Sequence, residues 1–440
     1  MTRFQYAVIG ICFLLNAVDG FDVMATAFTA NGLAKEWTLT PAALGFLLSA
    51  GLFGMTIGSL VLAPLADSLG SRRVILLSIT LATAGMLLSA IAQSAGQLGV
   101  LRLVTGVGVG GILACTNVLA SEYSSLRRRG LAVSIYALGY PIGATLGGFA
   151  AIGLQSGFGW RAVFLCGGIL SLLAMAGTAL LLPESAEFLN ERQPRNALQK
   201  INSIARKMGH PPVEALTPRR AVQLRRGLKS SRVARLLSAE YRKRTILLWI
   251  TYFCVLGGYY FVASWTPRLL VTAGMSESQG MTGGVLLTGG GVVGTIALGL
   301  LTARFSVRKV LIVYLGASAV FVTVFSQSMG MLTLALSVAA AIGFATVACM
   351  AGLYAMTPPL FEPSIRVTAI GFASGMGRLG GIVAPILTGF LLQASWTPGQ
   401  LYLAVGGLFA VGAVSMIFLK VQPPSRDESV LTIAKERVTT

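Results

Sequence analysis

Leu62-Ala-Pro-Leu-Ala-Asp-Ser-Leu-Gly-Ser-Arg-Arg73 aligns without gaps on Leu298-Gly-Leu-Leu-Thr-Ala-Arg-Phe-Ser-Val-Arg-Lys309. Each copy is a short basic connection between two long apolar runs. Each lies between the second and third run of a set of six. The chain therefore reads as two parallel repeats of six membrane spans, an arrangement that suits rocking around a central site.

Composition supports that reading. The 440 residues are 55% hydrophobic and 11% charged, where a soluble domain carries about 25% charged residues. Twelve apolar runs reach the ~20 residues needed to cross a bilayer: 6–30, 41–65, 73–93, 98–121, 130–155, 161–182, 245–270, 280–303, 308–328, 331–356, 366–392 and 398–420. The expected fold class is an all-α membrane protein of twelve transmembrane helices in two six-helix halves. The division is 1–182 for the N-terminal half, 183–244 for a basic central loop, 245–420 for the C-terminal half and 421–440 for a tail. Arg3, an apolar run and Ala25-Thr26-Ala27 imitate a signal peptide, but Asp19 and Asp22 interrupt the run. It reads as a retained first span.

The net charge of +19 would suggest nucleic acid in a soluble protein. Here the basic residues fall between apolar runs, so they report topology, and nucleic acid is set aside as a partner. Fifteen Lys/Arg and five Asp/Glu occupy 183–244. Arg72-Arg73, Arg127-Arg128-Arg129, Arg304, Arg308, Lys309 and Arg366 fall on the same side as that loop, against little more than Lys35, Arg161 and Arg268 on the other. Positive charge stays inside, so both termini and the loop are expected to be cytoplasmic. Cys12, Cys115, Cys166, Cys254 and Cys349 are scattered singly through apolar segments and read as packed thiols. The one histidine, His210, lies in the central loop. That excludes a histidine proton relay or histidine metal site inside the membrane.

Four charges sit where charge is expensive. Asp19 and Asp22 are three residues apart in the first span and share a helix face. An ionised carboxylate in hydrocarbon costs at least ~2.5 kcal/mol. They read as proton-coupling sites, the alternative being a wet and inert place at a helix end. Arg102 opens Arg102-Leu-Val-Thr-Gly-Val-Gly-Val-Gly-Gly111, where glycines let helices approach closely. Its nearest partners by topology are Asp19 and Asp22. Arg378, in Gly377-Arg378-Leu-Gly-Gly381, is its counterpart in the second half; guanidinium binds a carboxylate bidentately. Tyr259, Tyr260 and Trp265 crowd the seventh span and Tyr354 lies in the tenth. Such rings stack on a flat ligand, and tyrosine hydroxyls bond it, while lipid or core packing is the competing account of each.

Asp67-Ser-Leu-Gly-Ser-Arg-Arg73 resembles the loop signature of the major facilitator superfamily. With the Arg102 glycine segment, Glu122 before Arg127–Arg129, and Asp19-Gly-Phe-Asp22 in the first span, the chain resembles the aromatic acid:proton symporter family within that superfamily. The resemblance covers essentially all twelve spans. It implies a major facilitator fold and import of a benzoate- or hydroxybenzoate-type carboxylate with protons. The implied partners are a small aromatic carboxylate, the proton and the lipid bilayer, with no cofactor. It implies a monomer in a bacterial inner membrane. Asp67, Arg72, Arg73, Glu122, Arg129 and Arg366 take gating or topological places at the cytoplasmic side, with Asp67 pairing across the halves when that side closes. Ala303 departs from the family, which keeps an acid there, so the second latch is expected to be weak.

Two other transporters share these features. A symporter of another organic anion would carry nearly all of them. The fifth-span cluster Tyr140-Pro-Ile-Gly-Ala-Thr-Leu-Gly-Gly148 also occurs in drug antiporters. An enzyme is not expected: the sequence offers no nucleophile–base pair and no metal cluster.

Overall fold

The computed structural model describes residues 1–125, 128–209, 211–216 and 235–419. Arg127, His210, part of the central loop (217–234) and the tail from 420 on lie outside the described residues.

The regular structure of the described residues is helical. The first six long helices are α1 (Arg3–Glu36), α2 (Pro41–Leu69), α3 (Ser71–Ser89), α4 (Ala95–Glu122), α5 (Arg129–Phe158) and α6 (Trp160–Leu181). Two short helices follow, α7 (Ala186–Arg192) and α8 (Ala197–Met208). Then come α9 (Arg242–Thr272), α10 (Glu277–Thr302), α11 (Val307–Ser328), α12 (Leu332–Met356), α13 (Pro363–Gln393) and α14 (Pro398–Phe418). Twelve of these are long and apolar enough to cross a membrane, and each expected span has its helix. The helices alternate in direction, so the N-terminus and the chain between α6 and α9 lie at one end. That end is called basic here, and the opposite one the far end.

Local chemistry sets several boundaries. Thr2 with Gln5, Ser276 with Gln279 and Thr397 with Gln400 form reciprocal capping boxes that open α1, α10 and α14 and satisfy otherwise orphaned N–H groups. Between α2 and α3 the chain turns at Gly70 with φ of 96°, which a side chain would resist. Helix α1 outruns the expected 6–30. It continues to Glu36 over 34 residues, roughly 50 Å at 1.5 Å per residue. Asp19 and Asp22 therefore sit at mid-height and not at a wet helix end.

Glycine governs how closely the helices approach. A Cβ on Gly106 would fall 2.1 Å from the Gly51 carbonyl oxygen of α2, and one on Gly110 would fall 2.2 Å from that of Met55. Between α1 and α5, a Cβ on Gly20 would lie 2.0 Å from the Tyr140 oxygen, and one on Gly143 would lie 1.9 Å from the Ala17 oxygen. Backbone thus packs on backbone, which drives helix association where lipid removes the hydrophobic term.

The two sets of six helices meet mainly through α2 with α13, α5 with α10 and α1 with α9. The hydrogen bonds joining them run from mid-height to the far end. Lys35 bonds Glu277 at 2.6 Å, Arg268 donates to Asn31 at 2.9 Å and Thr145 bonds Thr288 at 3.0 Å. Ser49 donates to the Ile382 carbonyl at 2.9 Å. Phe46 and Phe390 meet edge to face there as well. Towards the basic end, Leu60, Val61, Leu131, Leu300 and Phe372 are exposed. Among the described residues, the side-chain bonds between the halves lie from mid-height to the far end.

Gly143→Ala places a methyl against the backbone of α1, and overpacking costs ~1–3 kcal/mol. We expect a lower melting temperature in detergent and loss of the α1–α5 contact. Gly153→Ala on the same helix, where a Cβ meets nothing within 4 Å, is expected to melt like the parent.

Candidate functional site

The buried charges form two distinct groups. The first lies wholly within the first six helices. Arg102 donates from Nη1 to Asp22 Oδ1 at 2.6 Å. Its Nη2 reaches Ser89 Oγ at 2.9 Å and Thr105 Oγ1 at 3.1 Å. The guanidinium also sits 4.8 Å from the centre of the Phe164 ring, a favourable cation–π placement. Arg102 is 2% exposed and Asp22 8%. Four helices thus tie down one ion pair, and neither charge is left alone.

Asp19 belongs to the second group. It is buried, and its Oδ1 has no hydrogen-bond partner. An internal void of about 10 Å³ touches Asp19, Asp22 and Thr105, roughly the room one water needs. Asp19's charged neighbours are Asp22 and, from the other set of helices, Arg378. Arg378 on α13 is half-buried and bonds Ser59 on α2 across the seam. Tyr259 and Tyr260 of α9 and Tyr140 of α5 are electrostatic neighbours of Asp19. The Tyr140 hydroxyl faces Tyr259 but closes no hydrogen bond. Mid-height therefore gathers an acid, a base and three phenols as electrostatic neighbours, with Asp19 Oδ1 and the Tyr140 hydroxyl unmatched. Buried polar atoms are nearly always matched, and each exception asks for an explanation.

The remaining expected binding residues lie elsewhere. Trp265 is buried, and its indole N–H donates to the Pro385 carbonyl at 3.2 Å; that bond fixes α9 on α13. Tyr354 is 44% exposed towards the basic end. Its ring meets Tyr252 edge to face and its hydroxyl bonds Ser374 at 3.2 Å.

The expected gating residues are engaged inside their own half. Asp67 accepts through its main-chain oxygen from Arg192 at 2.7 Å. Arg72 donates its N–H to Glu184 at 3.0 Å and its guanidinium to the Ala179 carbonyl at 2.7 Å. It ties the end of α6 to the start of α3. Arg308, at the matching place in the second copy, bonds the Met416 and Ile417 carbonyls at the end of α14. The repeat is thus structural as well as sequential. Glu122 accepts from Ser185 Oγ at 2.9 Å, and among the described residues it makes no ion pair with Arg128 or Arg129. Arg128 donates to Tyr6 at 2.8 Å, and Arg73 and Arg129 are exposed. Arg366 donates to the Phe361 carbonyl at 3.3 Å. No cross-half pair involving these side chains is formed among the described residues. Nor does any group of three His, Cys, Asp or Glu stand ready to hold a metal ion among them.

Sequence reasoning gave Tyr140 only a place in the fifth-span cluster and Arg268 only a topological one, and it passed over Asn31. Tyr140 follows Gly139, whose face is turned to α1; that register was the available signal.

A twelve-helix bundle with charged groups at mid-height of a seam between two repeats defines a secondary transporter. The chain belongs to the Major Facilitator Superfamily, whose family model matches residues 12–298 and 285–438. It is a transporter and not an enzyme. It is 34% identical to a gallate transporter of Pseudomonas putida, with 89% of this chain and 87% of that one covered. It is 31% identical to the 4-hydroxybenzoate transporter PcaK of Acinetobacter baylyi, over 96% and 92%. These relatives meet the expected resemblance to aromatic-acid transporters. Among solved structures, the xylose transporter XylE of E. coli in a partially occluded inward-open conformation superposes with a TM-score of 0.78. It is 16% identical, covering 95% of this chain and 98% of that one.

Removing one partner of a buried ion pair costs ~3–5 kcal/mol. Arg102→Gln is expected to lower detergent stability by that order, and Asp22→Asn added to it should restore part. A double-mutant cycle on melting, with coupling under ~0.5 kcal/mol, would contradict the pair.

Proposed function

We propose that this protein imports an aromatic carboxylate with protons across a bacterial cytoplasmic membrane, by alternating access. One observation carries the reading: buried Asp19 has Arg378 of the other half as a charged neighbour at mid-height, with Tyr140, Tyr259 and Tyr260 nearby. A carboxylate needs a cation, an aromatic ring suits phenol neighbours, and a coupled proton needs an acid beside both. Relatives named for gallate and 4-hydroxybenzoate supply the substrate class.

The two halves, 1–182 and 245–420, rock about that seam, with the basic end cytoplasmic. Cross-half bonds gathered from mid-height to the far end suit the state that releases to the cytoplasm. Asp22 is neutralised by Arg102 and stays so. Asp19 carries the proton, because it is buried with an unmatched oxygen and burial of such a charge is costly. The arriving carboxylate binds Arg378. A neutral Asp19 and a neutralised Arg378 let the seam change. After release at the cytoplasmic side, Asp19 gives up its proton, and Asp67 and Glu122 take part in closing that end.

One proton with a monoanion moves no net charge. A second proton would add ~2.3 kcal/mol per 100 mV of drive.

In proteoliposomes with an inward proton gradient, we expect 4-hydroxybenzoate to accumulate and a protonophore to abolish the accumulation. Asp19→Asn should keep counterflow yet lose response to the gradient, whereas Asp22→Asn should chiefly lose stability. Accumulation indifferent to the protonophore would end the symport reading; full accumulation by Asp19→Asn would remove that residue from coupling.

A further inference from the structure

The far end holds a second cation between the halves, and its partner is neutral. Arg268 lies near the end of α9, half-buried, and donates from Nη1 to Asn31 Oδ1 at 2.9 Å. Asn31 is buried on α1, 1% exposed. A guanidinium has five N–H donors, and this is the one side-chain bond Arg268 makes among the described residues. The nearest acid is Glu277 on α10. Its carboxylate is already held by Lys35 at 2.6 Å. Two cations thus share one acid at this seam, and the surplus positive charge draws anions towards it.

Both bonds cross between the halves, Arg268 to Asn31 and Glu277 to Lys35, and both end on the last turns of α1. The helices beneath are pressed together. A Cβ on Gly284 would lie 2.8 Å from the Phe28 ring and 3.0 Å from Pro267. The far end cannot part without separating Arg268 from Asn31. Parting also takes Lys35 from Glu277, which lies on the same half as Arg268. It leaves the half-buried guanidinium with that one acid as neighbour and with N–H donors beyond the two a carboxylate fills.

We propose that Arg268 is an outer anion site: it docks the substrate's carboxylate when the far end is open, and Asn31 takes the place of that carboxylate when the end is sealed. The proposal rests on the reading of the chain as a carrier of organic anions. A neutral amide suits this exchange. It satisfies donors without the full attraction of an acid, so an arriving carboxylate outcompetes it. An aspartate at 31 would instead hold the end shut.

The test compares the two faces of the protein in proteoliposomes, with 4-hydroxybenzoate as probe. Arg268→Gln is expected to raise the half-saturating concentration from the far face by about tenfold, the loss of one charged hydrogen bond. Half-saturation from the basic face should stay within about twofold of the parent on the same scale. Arg268→Lys, which keeps the charge and loses the fork, should fall between. An equal shift on both faces, or none on either, overturns the outer site. A ligand-free measurement reads the lock separately. Thr288→Cys, buried beneath the seam, is labelled from the far face by an impermeant maleimide, against the parent as background. Asn31→Ala should speed this labelling and Asn31→Asp should slow it. Unchanged rates in both variants overturn the exchange of partners. If the wild-type protein fails to carry 4-hydroxybenzoate while the labelling rates shift as expected, it is the substrate reading that fails and the lock that stands.

Discussion

Arg102 and Asp22 can occupy the interior of the first half because each neutralises the other. A lone charge there would be expelled or titrated. Everything near it follows from that need. Ser89 and Thr105 take up guanidinium donors, Phe164 offers its ring face, and the glycines of α4 let α2 and α3 come close enough to enclose the pair. With Asp22 spent in this way, Asp19 remains as the acid without a matched oxygen, and geometry gives two neighbouring carboxylates different surroundings.

The seam shares some of this packing, since backbone meets backbone where Gly45 of α2 and Gly389 of α13 cross. It adds a few polar bonds joining side chains that could bond something else: Ser59 with Arg378, Thr145 with Thr288, Asn31 with Arg268. A transporter needs contacts that hold in one state and release in another at small cost. Single hydrogen bonds, worth about 1 kcal/mol net when neutral and about 1.5–3 when one partner is charged, meet that requirement. The one ion pair among the described contacts between the halves, Lys35 with Glu277, is solvent-exposed.

Much of the fold could be read from the chain, because hydropathy marks each span and the repeat around Asp67 marks the halves. Helix ends could not. Lys35 and Glu36 end an apolar window yet continue the hydrogen-bond ladder of α1. Asp19, Asp22, Arg102 and Arg378 were conspicuous as charges in apolar runs, but not which acid Arg102 would choose. Trp265 shows the limit for aromatics: a ring in a crowded span does not disclose its direction, and here its N–H is used up on Pro385. Asn31 and Arg268 lie far apart in the chain, and nothing local to either announces the other. Pairs of that kind depend on how each helix is rotated, which hydropathy does not report.

The glycine-lined contacts have a consequence for how such a carrier can change its cargo. Helix α1 gives Gly20 and Ala17 to α5, while Asp19 points roughly 100° away from Gly20 at 3.6 residues per turn. The strip that holds the scaffold and the strip that carries the unmatched acid are different faces of one helix. Substitution along the second strip leaves the first untouched, so new specificities are reachable by short mutational steps that never pass through an unfolded ancestor.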